Sequence, residues 1–450
     1  VKLRVPHTFV ILFVLTVVAA LLTHVIPAGQ YDRVEKAGRK VVEPSSFHEV
    51  EAKPATIGDV ALAYPRGLLA VADLVMYIFI IGGAFGVVAA TGAVDAAIGV
   101  VVRAGRGRGP WVIAALMLVF SLGGATMGLA EETLPFIPTL VLLARRLGYD
   151  DITGASIALV GAGAGFSGAF LNPFTVVVGQ RIAEVPKLSG MGYRMIVWVV
   201  ITTIAIAYVL RWAARVKTEP AVASADAPDP HLVGPSRSQL AVLAVMATGL
   251  GALVFGAMKL GWGLVELSGL FVMLAVAAGL LGGLGANGTA VKFLEGAAGI
   301  SSGALVVGLA RGVLVIFDDA RVTDTILHGM AGVVTQLPAQ ITIVGIYAVQ
   351  VALSYIVPSG SGQAALSLPI LAPLADLVGV TRQTSVLAYQ FGDGFSNIFT
   401  PTSGYFMAAL NLAGVPWTRW ARFMLPLQIV WLAAGLVLLF IAHAMRWGPV

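Results

Sequence analysis

Long apolar runs separated by short polar breaks set the rhythm of this chain. Residues 7–27, 195–212 and 420–445 are each long and apolar enough to cross a hydrocarbon core, which takes about 20 residues of helix. Residues 240–260 and 267–284 add two more crossings. The first run follows Lys2 and Arg4, but it exceeds the length of a signal-peptide core and reads as a retained helix. Polar residues gather in two places. One is 30–65, the longest excursion from the apolar pattern in the first half. The other is 215–237, whose Pro, Ala, Asp and Ser mark a linker. Within the apolar runs, glycine-rich interruptions recur at GGATMG (123–128), GAGFSG (163–168, running on to Asn172 and Pro173), SGSGQ (359–363) and GDGFSN (392–397, running on to Thr400, Pro401 and Thr402). Glycine lets backbone leave helical geometry and proline removes a donor, so these sites predict hairpin tips and broken helices at membrane depth.

The interruptions come in pairs. GAGFS at 163–167 and GDGFS at 392–396 point to a duplication, and in the same register Gly67 aligns with Gly296, Gly83 with Gly312, Asp95 with Asp324 and Ser156 with Ser385. Five regions follow: a first helix and outer loop (1–66), a first repeat (67–213) with a hairpin at 110–147, a linker (214–238), two connecting helices (239–295), and a second repeat (296–450) with a hairpin at 339–379. The positive-inside tendency puts Lys2, Arg4, residues 103–108, Arg145, Arg146, residues 211–237, Lys292, Arg419 and Arg422 on the cytoplasmic side. Segment 110–147 has basic residues at both ends, so it must enter and leave from one side. Each repeat then crosses an odd number of times, with two crossings between them, which makes the repeats inverted. The expected fold is an all-α polytopic membrane protein of two inverted repeats, each with a re-entrant helical hairpin and a broken transmembrane helix. The expected location is a bacterial inner membrane, with the N-terminus cytoplasmic.

Composition agrees with this pattern: 58% of residues are hydrophobic and 11% charged, unlike any soluble domain. The net charge of +5 sits in short loops and forms no stripe, so it reads as orientation and not as nucleic-acid binding. With no cysteine, disulfides and thiolate metal sites are excluded. Gly163, Gly165 and Gly168 fit a dinucleotide fingerprint but lack its strand–helix context, and the GxSxG match at 299–303 lies inside an apolar helix. There is no Walker A or HExxH sequence. No cofactor is expected, and energy must come from a gradient of sodium ions or protons. Paired glycine-interrupted segments in two halves are the pattern of secondary transporters, whose sites form where broken helices meet.

The polar residues at these breaks are the candidate site. Thr126, Glu131, Glu132, Asn172, Ser359, Ser361, Gln363, Asn397, Thr400 and Thr402 are candidate contacts for a small-molecule solute, and Ser167, Asp393 and Ser396 for ion coupling. Sodium is expected near Gly163, Ser167 and Asn172, and near Gly392, Asp393 and Ser396. Ionisable groups at membrane depth are expensive, which puts Glu131, Glu132 and Asp393 first. Arg311 is the one basic residue placed inside a crossing; it needs an acidic partner or an anionic group of the solute. Three acids against one arginine suit a cationic ligand or coupling ion, and Gly-Ser backbone at 359–362 suits a carboxylate. A zwitterionic or basic amino acid satisfies both. A C4-dicarboxylate carried with sodium ions or protons is the alternative, and an ion channel the alternative of another class.

At GLAEET (128–133), residues 163–173, PSGSGQ (358–363) and residues 392–402, the chain resembles the YfcC family. That family is grouped with C4-dicarboxylate anaerobic carriers and candidate basic amino-acid antiporters in the ion transporter superfamily. The resemblance implies inverted repeats with opposing hairpins, a homodimer of scaffold and moving transport domain, and elevator-like alternating access. It also places solute and cations at hairpin tips and helix breaks. The Ser-Asn-Thr hairpin signature of dicarboxylate relatives is not plainly present at 123–133 or 358–363.

Overall fold

The structure, a computed structural model, describes residues 8–36, 39–104, 108–218, 235–256, 260–338, 341–377 and 379–448. Helix α1 (Thr8–Leu22) leads into four short strands, β1 (Gly29–Gln30), β2 (Arg33–Lys36), β3 (Arg39–Val42) and β4 (His48–Glu49). Antiparallel pairs form between β1 and β4 and between β2 and β3. The first half continues with α2 (Ile57–Ala70), α3 (Ala72–Ala90), α4 (Ala93–Ala104), α5 (Gly109–Thr126), α6 (Ile137–Arg146), α7 (Asp151–Ser167), α8 (Val178–Ile182) and α9 (Met191–Val216). A 3-10 turn (Glu131–Phe136) precedes α6, and a π-turn (Pro173–Val177) precedes α8. Helices α10 (Arg237–Phe255) and α11 (Leu264–Leu281) connect to the second half. There follow α12 (Gly285–Gly299), α13 (Ser301–Asp319), α14 (Thr323–Thr335), α15 (Thr342–Ile356), α16 (Gly360–Leu377), α17 (Arg382–Asn397), α18 (Gly404–Leu412) and α19 (Trp417–Ala444).

The fold is thus mainly helical, and α3, α5, α9, α11 and α19 are long and apolar enough to cross a membrane. Helices α12 and α13 form a bent pair, with a 42° change of direction. Two expectations need correction. The polar excursion at 30–65 is not plain loop: it holds the strands and the start of α2. Thr56 caps that helix by accepting from the Asp59 N–H, while the Asp59 carboxylate accepts from the Thr56 N–H at 3.0 Å, a capping box that starts the helix at Ile57, before Pro65. Helix α2 therefore runs through the boundary drawn at 66. Most of the expected linker, 219–234, lies outside the described residues, as do residues 339 and 340 at the start of the second hairpin.

Helices α7 and α17 form the buried centre, with almost every residue from Ile152 to Gly165 and from Gln383 to Asn397 out of contact with the exterior. Helix α7 packs against α5 and α6, α17 packs against α15 and α16, and α7 and α17 touch one another. Outside this centre, α2 packs on α13 and α3 on α12. Glycine makes these crossings close. A Cβ at Gly67 would come within 2.7 Å of the Gly312 nitrogen, and one at Gly86 within 2.7 Å of the Gly296 Cα. Two of the glycines matched by the sequence repeat, Gly67 and Gly296, each pack against the other half.

The outer loop is fastened to α14. Arg33 grips both oxygens of Asp324 at 2.8 and 2.9 Å, the Tyr31 N–H donates to Asp324 at 2.9 Å, and the Phe47 ring stacks on His328 at 3.9 Å. At the matching place in the first half, Asp95 faces Arg146 at 3.6 Å.

Candidate functional site

Both glycine motifs prove to be helical. Helix α7 continues through Ser167 and α17 through Asn397, so the chain leaves helical geometry only beyond the motifs, at 168–172 and 398–403. The glycines serve contact between backbones. A Cβ at Gly165 would overlap the Ser121 carbonyl, one at Gly392 would lie 2.6 Å from the Gln350 carbonyl carbon, and one at Gly394 2.7 Å from the Ser167 Cα. Residues 123–126 likewise stay in α5, and a Cβ at Gly124 would come within 2.8 Å of the Phe166 nitrogen. The hairpin tips are correspondingly shorter than expected. The first is 127–130, turned by Gly128 at φ +73°. The second is 357–359, since α16 already begins at Gly360.

Backbone freed by the breaks finds partners locally, as buried polar groups must. The Phe170 and Leu171 N–H groups donate to the Ala125 carbonyl at 3.3 and 3.1 Å, tying the first break to the end of α5. Asn172 restarts the chain, its Oδ1 accepting from the Phe174 and Thr175 N–H groups at 2.9 and 3.2 Å. Across the second break, Trp420 and Trp417 donate to the Ile398 and Phe399 carbonyls, both at 2.9 Å. Thr402 donates to the Tyr355 carbonyl at 3.0 Å and bonds Thr400 at 2.7 Å.

Side chains at the same place are left incomplete. Asp393 is fully buried; one oxygen accepts from Asn397 at 3.1 Å and the other has no partner. Asn172 Nδ2, Thr175 Oγ1, Asn397 Oδ1 and Gln390 Oε1 are also buried and unpaired, while Ser396 is turned toward the Tyr355 hydroxyl. Position 360 shows how the parts converge. A Cβ there would lie 2.7 Å from the Thr175 methyl, 2.9 Å from the free Asp393 oxygen and 3.5 Å from the Tyr389 hydroxyl, which itself donates to the Gly360 carbonyl at 2.6 Å. The start of α16 beside the second hairpin tip, the restart of the chain after the first break, and α17 thus meet around Asp393.

Glu131 and Glu132, half-buried on the 3-10 turn, belong to the same neighbourhood. Tyr405, at the start of α18, interacts electrostatically with Glu131, Asp393 and Glu132. Tyr77 on α3, whose buried hydroxyl has no partner, faces the two glutamates as well. The three acids singled out from the sequence thus all lie within electrostatic range of Tyr405. Among the described residues no three His, Cys, Asp or Glu side chains converge as a metal site.

Other candidates are engaged elsewhere. Thr126 and Ser167 each donate to a carbonyl one turn back in their own helix, Leu122 and Gly163, at 2.7 Å. Gln363 is held between the hairpin arms, donating to the Gln350 carbonyl and side chain at 2.8 Å. Ser359 is exposed and Ser361 half-buried beside it at the second tip. Arg311 stands midway along α13, its side chain 36% exposed, with Nη2 4.0 Å from Asp318 two turns further on and Nε buried without a partner. Among the described residues the fully buried base is Arg194, in the first turn of α9. A crossing drawn from residue 195 missed it by one position. Tyr77, Thr175, Tyr389, Gln390 and Tyr405 were also overlooked. Of these only Thr175 carried a signal, standing three residues after the capping Asn172.

Crossing-length helices around two interrupted ones, with unpaired polar groups gathered at the interruptions, define a multi-pass membrane protein of the transporter class, one that handles a small-molecule solute. The chain belongs to the DcuC family, the C4-dicarboxylate anaerobic carriers, whose profile it matches over residues 5–444. It is 35% identical to YfcC of Escherichia coli K12, named as a candidate basic amino acid antiporter, over 93% of this chain and 92% of that protein. An uncharacterised protein of Haemophilus influenzae Rd is 28% identical over 97% of this chain and 96% of its own length. Among solved structures, the YdaH transporter of Alcanivorax borkumensis aligns over 99% of this chain and 100% of that chain, with 18% identity and a TM-score of 0.43.

Proposed function

We propose that this protein is a secondary active transporter for a small carboxylate-bearing solute of the amino-acid class, basic amino acids included. The observation that carries this reading is the set of unpaired buried groups around Asp393. The free Asp393 oxygen and the side chain of Thr175, whose hydroxyl is unpaired, meet at the start of α16, and the unpaired Asn172 Nδ2 and Asn397 Oδ1 belong to the same two breaks. Each unpaired buried group costs about 1–3 kcal/mol, so several in one place are tolerable where a ligand completes them. An amino acid offers an ammonium group to the acceptors and a carboxylate to the donors. Burying an ionised carboxylate costs several kcal/mol, so Asp393 needs a proton or cation as companion, which is the basis of ion coupling by sodium or protons.

Family membership favours a second reading, a C4-dicarboxylate carried with sodium ions or protons. The surplus of acid at Glu131, Glu132 and Asp393 argues for the cationic solute instead. In this reading the two halves are inverted, the hairpins are re-entrant, and the α7–α17 centre with its hairpins slides against a frame of α2, α3, α12 and α13 in an elevator-like cycle. The transporter works as a homodimer in a bacterial inner membrane. Asp393→Asn tests the reading. In proteoliposomes loaded with pH or sodium gradients, uptake of labelled lysine and succinate should distinguish the solutes. The variant should lose at least about tenfold in uptake efficiency, equivalent to about 1.4 kcal/mol, together with its dependence on the driving ion. Unchanged kinetics and coupling would remove Asp393 from the mechanism.

A further inference from the structure

Arg194 carries no role in the scheme above, yet among the described residues it is the one basic side chain that is fully buried. It is completely buried, and both Nε and Nη2 lack a hydrogen-bond partner. The remaining nitrogen donates to the Ala169 carbonyl at 3.5 Å, and the guanidinium carbon lies 5.5 Å from the Trp447 ring centre. No acid among the described residues pairs with it. Removing a lone cation from water is costly, and one cation–π contact offsets only part of that cost.

Its position makes the anomaly greater. Arg194 lies in the first turn of the 26-residue helix α9, which starts at Gly190 with no side-chain cap. The N-terminal turn already presents free N–H groups and a partial positive charge, so a basic residue there is unfavourable by itself. Uncapped donors and an unpaired guanidinium together make a place that lacks an anion. That place adjoins the candidate site. Ala169 belongs to the first break, and Tyr389, which interacts electrostatically with Arg194, bonds Gly360 at the start of α16, next to Asp393. One turn of α17, a rise of about 5.4 Å, separates Tyr389 from Asp393.

We propose that Arg194 and the uncapped start of α9 form the carboxylate-binding part of the solute site, with the solute's cationic group held by Asp393. This deepens the amino-acid reading given above and rests on it. The guanidinium fork suits a carboxylate held through two parallel hydrogen bonds, which a lysine at the same position could not reproduce. The acid surplus and the lone arginine then belong to the two ends of one zwitterion.

The test uses the purified full chain in detergent and measures binding through thermal stabilisation. The probes are L-lysine, L-arginine, succinate, and the decarboxylated counterparts cadaverine and agmatine. In the parent protein each amino acid should bind at least about tenfold more tightly than its amine, and Arg194→Met should erase that preference. Free of ligand, Arg194→Met should melt at a higher temperature than the parent, because an uncompensated charge has been removed. Arg194→Lys keeps the charge without the fork and should retain only part of the preference. An Arg194→Met protein that keeps the parent's full preference overturns the assignment and leaves the transporter reading standing. Should that variant not fold, an undiminished preference in Arg194→Lys overturns it equally. A parent protein that binds none of the five compounds refutes the amino-acid reading and the carboxylate anchor together, whereas binding of succinate alone refutes the zwitterion and keeps the anchor.

Discussion

Replacing Gly165 by alanine separates the two meanings that a glycine motif at membrane depth can have. The added methyl would overlap the Ser121 carbonyl oxygen, with the carbonyl carbon 2.6 Å and the Cα 2.8 Å away. All three atoms are backbone, so no change of rotamer relieves the clash, and α5 must withdraw from α7. Overpacking of this kind costs about 1–3 kcal/mol, occasionally more. A gap of about 0.5–1 Å also forfeits a quarter to a half of each dispersion contact along the crossing. Gly269→Ala on α11 is the control, because nothing lies within 4 Å of its added Cβ. Both variants gain about 0.8–1 kcal/mol of helix propensity, so the difference between them isolates the packing cost at about 1–3 kcal/mol. Unfolding of the full chain in mixed micelles, with each variant run beside the parent, reads the difference: Gly269→Ala should be slightly stabilised and Gly165→Ala clearly destabilised. A Gly165→Ala protein as stable as Gly269→Ala would refute the claim that this glycine exists for close packing.

Two further outcomes follow from turn geometry and from the outer loop. Gly128→Ala forces a left-handed residue to carry a Cβ, at about 1–2 kcal/mol, and sets that atom 2.7 Å from the Asn172 oxygen that caps the restarted helix. It should lower both stability and uptake, while Gly379→Ala, equally left-handed at φ +75° but with open space around it, should lower stability alone. Burial first, and the nearby Asp324 carboxylate second, push the Tyr31 hydroxyl up to about 12 from 10.0. The raised value means that the neutral phenol holds the loop. Its contribution is complete below pH 10, the unfolded value, and disappears as pH rises through about 12. The difference in phenolate absorbance between the parent and Tyr31→Phe, recorded as a titration, should place its step near pH 12; a step at 10 would mean that Tyr31 is freely solvated.

Much of the arrangement could be read from the chain because helix length and hydropathy are local properties. The crossing-length helices and the burial of Asp393 among apolar neighbours rest on such local signals. What failed was the meaning given to glycine. GAGFS and GDGFS look like unwound backbone in isolation, but glycine also permits two helices to touch, and which effect wins depends on a neighbour far away in sequence. Ser121 decides it for Gly165, and Gln350 for Gly392. Arg194 was missed for a related reason: its helix begins a few residues before the apolar run does, so a residue that reads as flanking loop is packed inside. The four tyrosine and glutamine neighbours of the acids, Tyr77, Tyr389, Gln390 and Tyr405, had no sequence signal. Polar side chains among apolar ones become informative only when their partners are known to be absent.

The crossed pairing of α2 with α13 and α3 with α12 has a consequence for how such a molecule is made. During synthesis the glycine-lined faces of α2 and α3 must wait until more than half of the remaining chain has emerged before the helices that fit them exist. The early helices are therefore finished only by late ones, and a chain cut short before α12 would leave both faces uncovered.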